Sequence, residues 1–226
     1  AASCGVSTAG GESLFHDGAC PAAGAWLGKY YGLPASLFVQ VDDDLAELRI
    51  FSPDGLPLPR ERQRKLEGAL LRGETARVPA SRMGPAQTVT GVGPGYAEET
   101  VRAARLGGLP LRRLRVWVEP GEGANDALAR ALSALGCQVS RGTGRGEVTF
   151  RADWGGFRLL TWDETGRPIS PDRLLVLLTR IEMEQGRRRL ALPGWAPAAA
   201  EAVAASFGGG VLRLGRDGEE ALELWR

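Results

Sequence analysis

Residues Glu147 to Leu178 read EVTFRADWGGFRLLTWDETGRPISPDRLLVLL. Two apolar-rich strands flank Asp153-Trp154-Gly155-Gly156. The polar run Asp163-Glu164-Thr165-Gly166-Arg167-Pro168 then makes a turn. Ser170 is suited to cap a helix, with Pro171 at its first position, where a missing N–H costs nothing, and Arg173 to Leu178 as its apolar body. The order predicted is strand, tight loop, strand, turn, helix. An acidic residue in a short loop after a buried strand is a common seat of chemistry in α/β proteins.

The surrounding chain is ordinary for a soluble globular protein. It has 226 residues, 43% hydrophobic and 24% charged, with a formal net charge of +1. That length suffices for one large domain or two small ones. A balanced charge gives no bulk attraction to nucleic acid. Arg far outnumbers Lys, which occurs only at Lys29 and Lys65; with abundant Ala, Gly and Leu, this reflects a GC-rich genome. No run approaches the roughly 18 apolar residues that a membrane helix needs. The start, AASCGVSTAGG, lacks the charged and apolar regions of a signal peptide, and a cytoplasmic location is expected. Cys4, Cys20 and Cys137 are scattered and are expected to be free thiols. The single histidine, His16, excludes zinc sites and triads built on histidine.

From the N-terminus, Ser3 to Ser7 suggest a short strand. Ala19 to Tyr31 suggest a helix stopped by Gly32. Strands are expected over Ser36–Val41 and Ala46–Phe51, with Asp42-Asp43-Asp44 between them. Ser52-Pro53-Asp54-Gly55 has the residues of a turn. Pro59 to Leu71 should form an amphipathic helix with Leu66, Leu70 and Leu71 inward. Arg72 to Gly95, broken by Gly and Pro, reads as a linker, with Gly93-Pro94-Gly95 as a turn in it. A helix over Tyr96–Leu106 precedes a βαβ unit: strand Leu114–Glu119, helix Asp126–Gly136, strand Cys137–Ser140. Beyond Leu178, a strand over Arg188–Pro193, a helix over the following alanine-rich run, a strand over Val211–Gly215 and a helical turn over Asp217–Trp225 complete the chain.

The tail LLTWDETGRPISPDRLLVLL resembles the α-D-phosphohexomutases, the superfamily of phosphoglucomutase, phosphomannomutase and phosphoglucosamine mutase. There a D-x-D-x-D-R loop holds magnesium, and a D-E-x-G turn and S/P-x-D-x-L-L-x-L-L follow. On that frame Asp153 takes the first aspartate, Gly155 the second, Phe157 the third and Arg158 the arginine. Earlier, LRIFSPDGLPLPRERQRKLEGALL resembles the family's strand, turn and helix after its phosphoserine loop. VQVDDDLAELRIF stands where the S/T-A-S-H-N-P loop would be, without Ser, His or Asn, and Ser36 lies at the wrong end to replace the serine. Leu135-Gly136-Cys137-Gln138-Val139 matches the L-G-A-x-V of the second domain. Only SRGTGRG then separates Val139 from Glu147, where the family has a longer stretch with another crossover helix. The T-x-G-x-R-G stretch, the sugar-reading G-E-x-S-G-H loop and the fourth, phosphate-binding domain have no counterpart in this sequence.

The resemblance implies an α/β fold of βαβ units, like shortened phosphohexomutase domains 1 to 3, with mixed sheets flanked by helices. It places domains at 1–90, 91–186 and 187–226. It makes Asp153, Asp42 and Asp44 candidate metal ligands and Arg158 a candidate substrate contact. Each has a plainer reading: Asp153 a turn cap with Trp154 and Phe157 filling the metal's volume, Asp42-Asp43-Asp44 a solvated turn, Arg158 a surface cation. Gly121-Glu122-Gly123 opens a helix but lacks a phosphate-loop pattern. Arg187-Arg188-Arg189 reads as a solvated strand entry, and His16 stands among small and polar residues. No cofactor is expected. Magnesium follows only from the resemblance, and one carboxylate of three is a poor set for a hard cation. The expected role is that of a catalytically degenerate homologue that binds, regulates or scaffolds, with a phosphosugar, a protein partner or a second copy as ligand and with neither nucleic acid nor membrane. The alternative is a piece of a mutase-type isomerase of carbohydrate metabolism.

Overall fold

The computed structural model describes residues 2–16, 20–42, 45–106, 114–121, 123–142 and 147–215. The chain is α/β and divides into two compact units, Ala1–Gly144 with Thr149–Leu159, and Arg145–Val148 with Leu160–Arg226.

The first unit opens on helix α1 (Ala2–Thr8). A strand was expected there, but the amides find local partners: Ala9 N–H donates to Gly5 O at 3.1 Å. Strand β1 (Ser13–Phe15) follows, then helix α2 (Pro21–Tyr30), which begins on Pro21 as its N1 residue. Strands β2 (Ser36–Asp42) and β3 (Leu45–Phe51) pair antiparallel in the register Ser36↔Phe51 to Asp42↔Leu45. Gly28 lets α2 lie on β2, since a Cβ there would stand 1.8 Å from Ser36 Oγ.

Helix α3 (Arg60–Leu71) corrects another expectation. It buries no residue, and Leu66, Leu70 and Leu71 are exposed. Its own i,i+4 pairs, Lys65–Glu61 at 2.7 Å and Gln63–Glu67 at 2.9 Å, support it instead. The expected linker also contains structure. Strand β4 (Ala86–Thr88) pairs parallel with β1, and helix α4 (Val92–Leu106) starts four residues early, with Gly93-Pro94-Gly95 in its first turn. Proline is tolerated there because first-turn amides have no helical acceptor.

The expected βαβ unit is present as β5 (Arg115–Val118), α5 (Ala124–Ala134) and β6 (Gln138–Arg141), with the strands parallel. Strand β7 (Val148–Ala152) lies on the other side of β5. Cys20, Ala22, Ala23, Leu27, Val92 and Ala124 form a buried cluster, with Trp26, Val89, Tyr96 and Ala152 against it. Small side chains in α2, α4 and α5 make this core, so the helices approach closely.

The second unit holds β8 (Leu159–Trp162) and β9 (Pro168–Ile169), which are antiparallel, followed by α6 (Pro171–Glu184). Ser170 caps α6 as expected, its Oγ accepting from Arg173 N–H at 3.3 Å. The buried side of α6 is Thr179 and Met183, while Leu177 and Leu178 are exposed. Strands β10 (Arg189–Pro193) and β11 (Gly210–Leu214) pair parallel around α7 (Ala198–Ser206), with Leu192, Ala196 and Ala200 as core. The helical turn expected over Asp217–Trp225 lies outside the described residues. Among the described residues no helix is long and apolar enough to cross a membrane.

Candidate functional site: the Asp153 loop

The loop after β7 is built by its own aspartate. Asp153 Oδ1 accepts from Phe157 N–H at 2.9 Å and from Arg158 N–H at 3.1 Å. Asp153 N–H donates to Arg158 O at 2.9 Å, and Gly156 N–H to Asp153 O at 3.0 Å. The same construction recurs ten residues on. Asp163 Oδ1 accepts from Thr165 N–H, Thr165 Oγ1 and Arg167 N–H, and Gly166 N–H donates to Asp163 O. The hydrogen bonds from Thr165 and Arg167 hold the Asp163 carboxyl below the usual range. An aspartate heading a glycine-containing turn is a local solution to unpaired amides.

The loop is packed on both sides by the rest of the first unit. Gly156 has φ +73°, and a Cβ there would meet Cys20 Sγ at 3.0 Å and Ala22 Cβ at 3.1 Å. Gly155 O accepts from Ala22 N–H at 3.1 Å, which ties the loop to the start of α2. Burial pushes the Cys20 thiol up, so it stays protonated and apolar. Asn125 Oδ1 accepts from Ala152 N–H at 2.8 Å and fixes the end of β7 to α5.

The β2–β3 hairpin supplies the rest. Phe38, Arg49 and Phe51 share one face, because Phe38 is opposite Arg49 and Phe51 is two residues beyond it. The Arg49 guanidinium stacks on Trp154, with Cζ 4.2 Å from the ring centroid. Phe38 lies 6.3 Å from Trp154, and Phe51 5.9 Å from Phe157, between ring centroids. Trp154 and Phe157 remain half-exposed, at 44% and 50%. They make an aromatic surface where the resemblance expects metal ligands.

These residues fit magnesium poorly. One Asp153 oxygen already serves two amides, Gly155 and Phe157 offer no side-chain oxygen, and the Gly155 carbonyl is taken by α2. Magnesium demands near-octahedral oxygen coordination. Among the described residues no group of three or more His, Cys, Asp or Glu converges as a metal site. Asp42 ends β2 and pairs with Leu45 at the hairpin tip, four strand residues from Phe38, about 13 Å along the strand. Asp43 and Asp44 lie outside the described residues, as does Glu122. Arg158 closes the loop through its backbone, and its side chain is exposed.

Sequence reasoning missed Arg49. The alternation Glu47, Arg49, Phe51 was available and put a cation on the face of a buried phenylalanine, but its partner, Trp154, is far away in the chain. Elsewhere in this unit, a cavity of about 610 Å³ is lined by Pro94, Ala97, Glu98, Val101, Arg102, Arg130 and Ala134 and contains none of the expected site residues.

No protein-family model matches the chain, and no curated protein matches it. Comparison with solved structures defines the class: this is the fold of the phosphoglucomutase/phosphomannomutase structures. A phosphoglucomutase/phosphomannomutase family protein from Burkholderia thailandensis aligns over 99% of this chain and 56% of its own, with TM-score 0.74 and 16% identity. A phosphomannomutase-type structure from Thermus thermophilus aligns over 97% of this chain and 59% of its own, with TM-score 0.74 and 14% identity. The chain thus spans a little over half the length of the structures it matches.

Proposed function

We propose that the protein is a phosphohexomutase-like protein that does not turn over a phosphosugar and acts through binding, as a regulator or scaffold. The observation that carries this is the Asp153 loop, which has a single carboxylate, one oxygen of which already serves two of the loop's own amides. Mutase chemistry passes a phosphoryl group between a serine and a sugar hydroxyl. It uses a nucleophile, a metal to neutralise oxygen charge and a pocket for the sugar's phosphate. The chain offers Asp42-Asp43-Asp44 in place of the serine loop and Trp154, Gly155 and Phe157 in place of the metal-binding set. What remains at the loop suits contact rather than reaction: two half-exposed aromatic rings and the cations Arg49 and Arg158.

A scaffold role is supported by the other face of the hairpin. Leu37, Val39 and Val41 on β2 lie opposite Ile50, Leu48 and Ala46 on β3, and four of the six are large and exposed. A contiguous exposed apolar face marks an interaction surface, here for a protein partner or a second copy. The second reading, a piece of a mutase-type isomerase, is favoured by the 56% and 59% coverage of the matched structures.

The test is a thermal-shift titration with a panel of hexose phosphates, together with an isomerisation assay. A ligand of the folded state raises the midpoint with concentration. A saturable shift without conversion is expected for a phosphosugar-binding regulator, and a flat response for a scaffold. Conversion of any hexose phosphate would overturn the proposal and favour the isomerase.

A further inference from the structure

We propose that Arg49 is the built-in cation of the Asp153 loop, standing where the metal of a complete D-x-D-x-D-R loop would be, so that the loop is ordered without any divalent ion. The inference rests on the proposed reading for its frame and goes beyond it by assigning a role to Arg49. The geometry is specific. A Cβ on Gly155, the position of the second aspartate on that frame, would stand 3.3 Å from an Arg49 terminal nitrogen and 3.6 Å from Asp153 Oδ1. Cation and carboxylate thus flank the point from which a metal ligand would project.

Two contacts hold the guanidinium there: its Cζ lies 4.2 Å from the Trp154 ring centroid, and its Nε donates to Glu47 Oε1 at 2.7 Å. Phe38, directly opposite on β2, packs against the same indole. A guanidinium suits this role better than an ammonium, because it is planar, weakly hydrated and stacks on aromatic rings. The sequence changes are consistent with one another. Gly155 removes the carboxylate that would collide with Arg49, Trp154 provides the stacking face, and Phe157 turns toward Phe51. A divalent ion approaching Asp153 would meet the Trp154 ring and the Arg49–Glu47 ion pair rather than an open set of oxygen ligands.

The experiment compares the protein in chelator with the protein in Mg2+ or Mn2+, by thermal midpoint and by Mn2+ electron paramagnetic resonance. The proteins compared are wild type, Arg49→Ala, Arg49→Lys, Trp154→Phe and the Arg49→Ala/Trp154→Phe double variant. Wild type is expected to show no saturable Mn2+ binding and no metal-dependent shift. Arg49→Ala should lower the midpoint by a few degrees, Arg49→Lys should recover part of the loss, and the Arg49 loss should shrink once Trp154 is gone. Saturable Mn2+ binding by wild type that Asp153→Asn abolishes would overturn the inference. So would an Arg49→Ala midpoint equal to wild type, or the same Arg49 loss with and without Trp154. Turnover of a phosphosugar would sink the proposed function and leave this result standing; metal binding without turnover would do the reverse.

Discussion

At residue scale the account turns on how Asp153 and Gly156 share one turn. Asp153 satisfies two amides that would otherwise be unpaired. Gly156 holds a left-handed conformation against Cys20, Ala22 and Ala124. A side chain at this position would be strained and would collide with α2. Gly156→Ala is therefore expected to lose about 2 kcal/mol or more, measured by urea denaturation. A stability equal to wild type would mean the loop does not sit against α2. The turn role of Asp153 was legible in the sequence, since D-W-G-G-F-R and D-E-T-G-R-P have the same aspartate-to-glycine layout. Arg49 was not, because stacking on Trp154 depends on tertiary approach that no local pattern records.

Among the elements, the sequence was most legible where a cap or a βαβ repeat fixed the outcome. Ser170-Pro171 started α6, and the parallel strands β5–β6 and β10–β11 each enclose their helix. It was least legible where burial decides. The leucines of α3 have helical spacing but no core to meet, and β4 is three exposed residues, Ala86-Gln87-Thr88, without alternation. Exposure separates two substitutions that look alike in sequence. Leu71→Gln, at 90% exposure, should change stability by no more than about 0.5 kcal/mol. Met183→Ala, at 1%, should cost about 2–5 kcal/mol. Similar losses by denaturation would contradict the packing described for α3 and α6.

Helix α5 is tied to β6 by charge. Asp126 takes Arg130 at 2.6 Å and Arg141 at 2.6 Å. These partners, Arg130 first, hold its carboxyl below the usual range. The stabilisation is therefore fully present above the ordinary carboxylate pKa of about 4 and is lost as pH falls through the depressed folded value. Asp126→Asn should be less stable than wild type at neutral pH, by a small amount for so exposed a pair. The gap should close in acid. Parallel pH profiles for the two proteins would contradict the assignment.

For the whole molecule, the fold and the chemistry separate. Two compact α/β units carry a phosphohexomutase-type fold, matched over nearly the whole chain at 16% identity or less. Much of the element order was readable because turn residues and the Ser170-Pro171 helix start punctuate it. The packing of α4 against both α2 and α5 was not, because it depends on tertiary approach. The binding role proposed above needs the fold and not a metal loop, since function lives in the site rather than in the fold.

Amide hydrogen exchange at Phe157 and Arg158, in chelator and then in magnesium, tests the closed loop most directly. Both amides donate to Asp153 Oδ1, and hydrogen-bonded amides exchange only when the structure opens. The expected result is slow exchange in chelator, unchanged by magnesium and accelerated in Asp153→Ala. Fast exchange in chelator that slows when magnesium is added would show a metal-ordered loop and contradict the account.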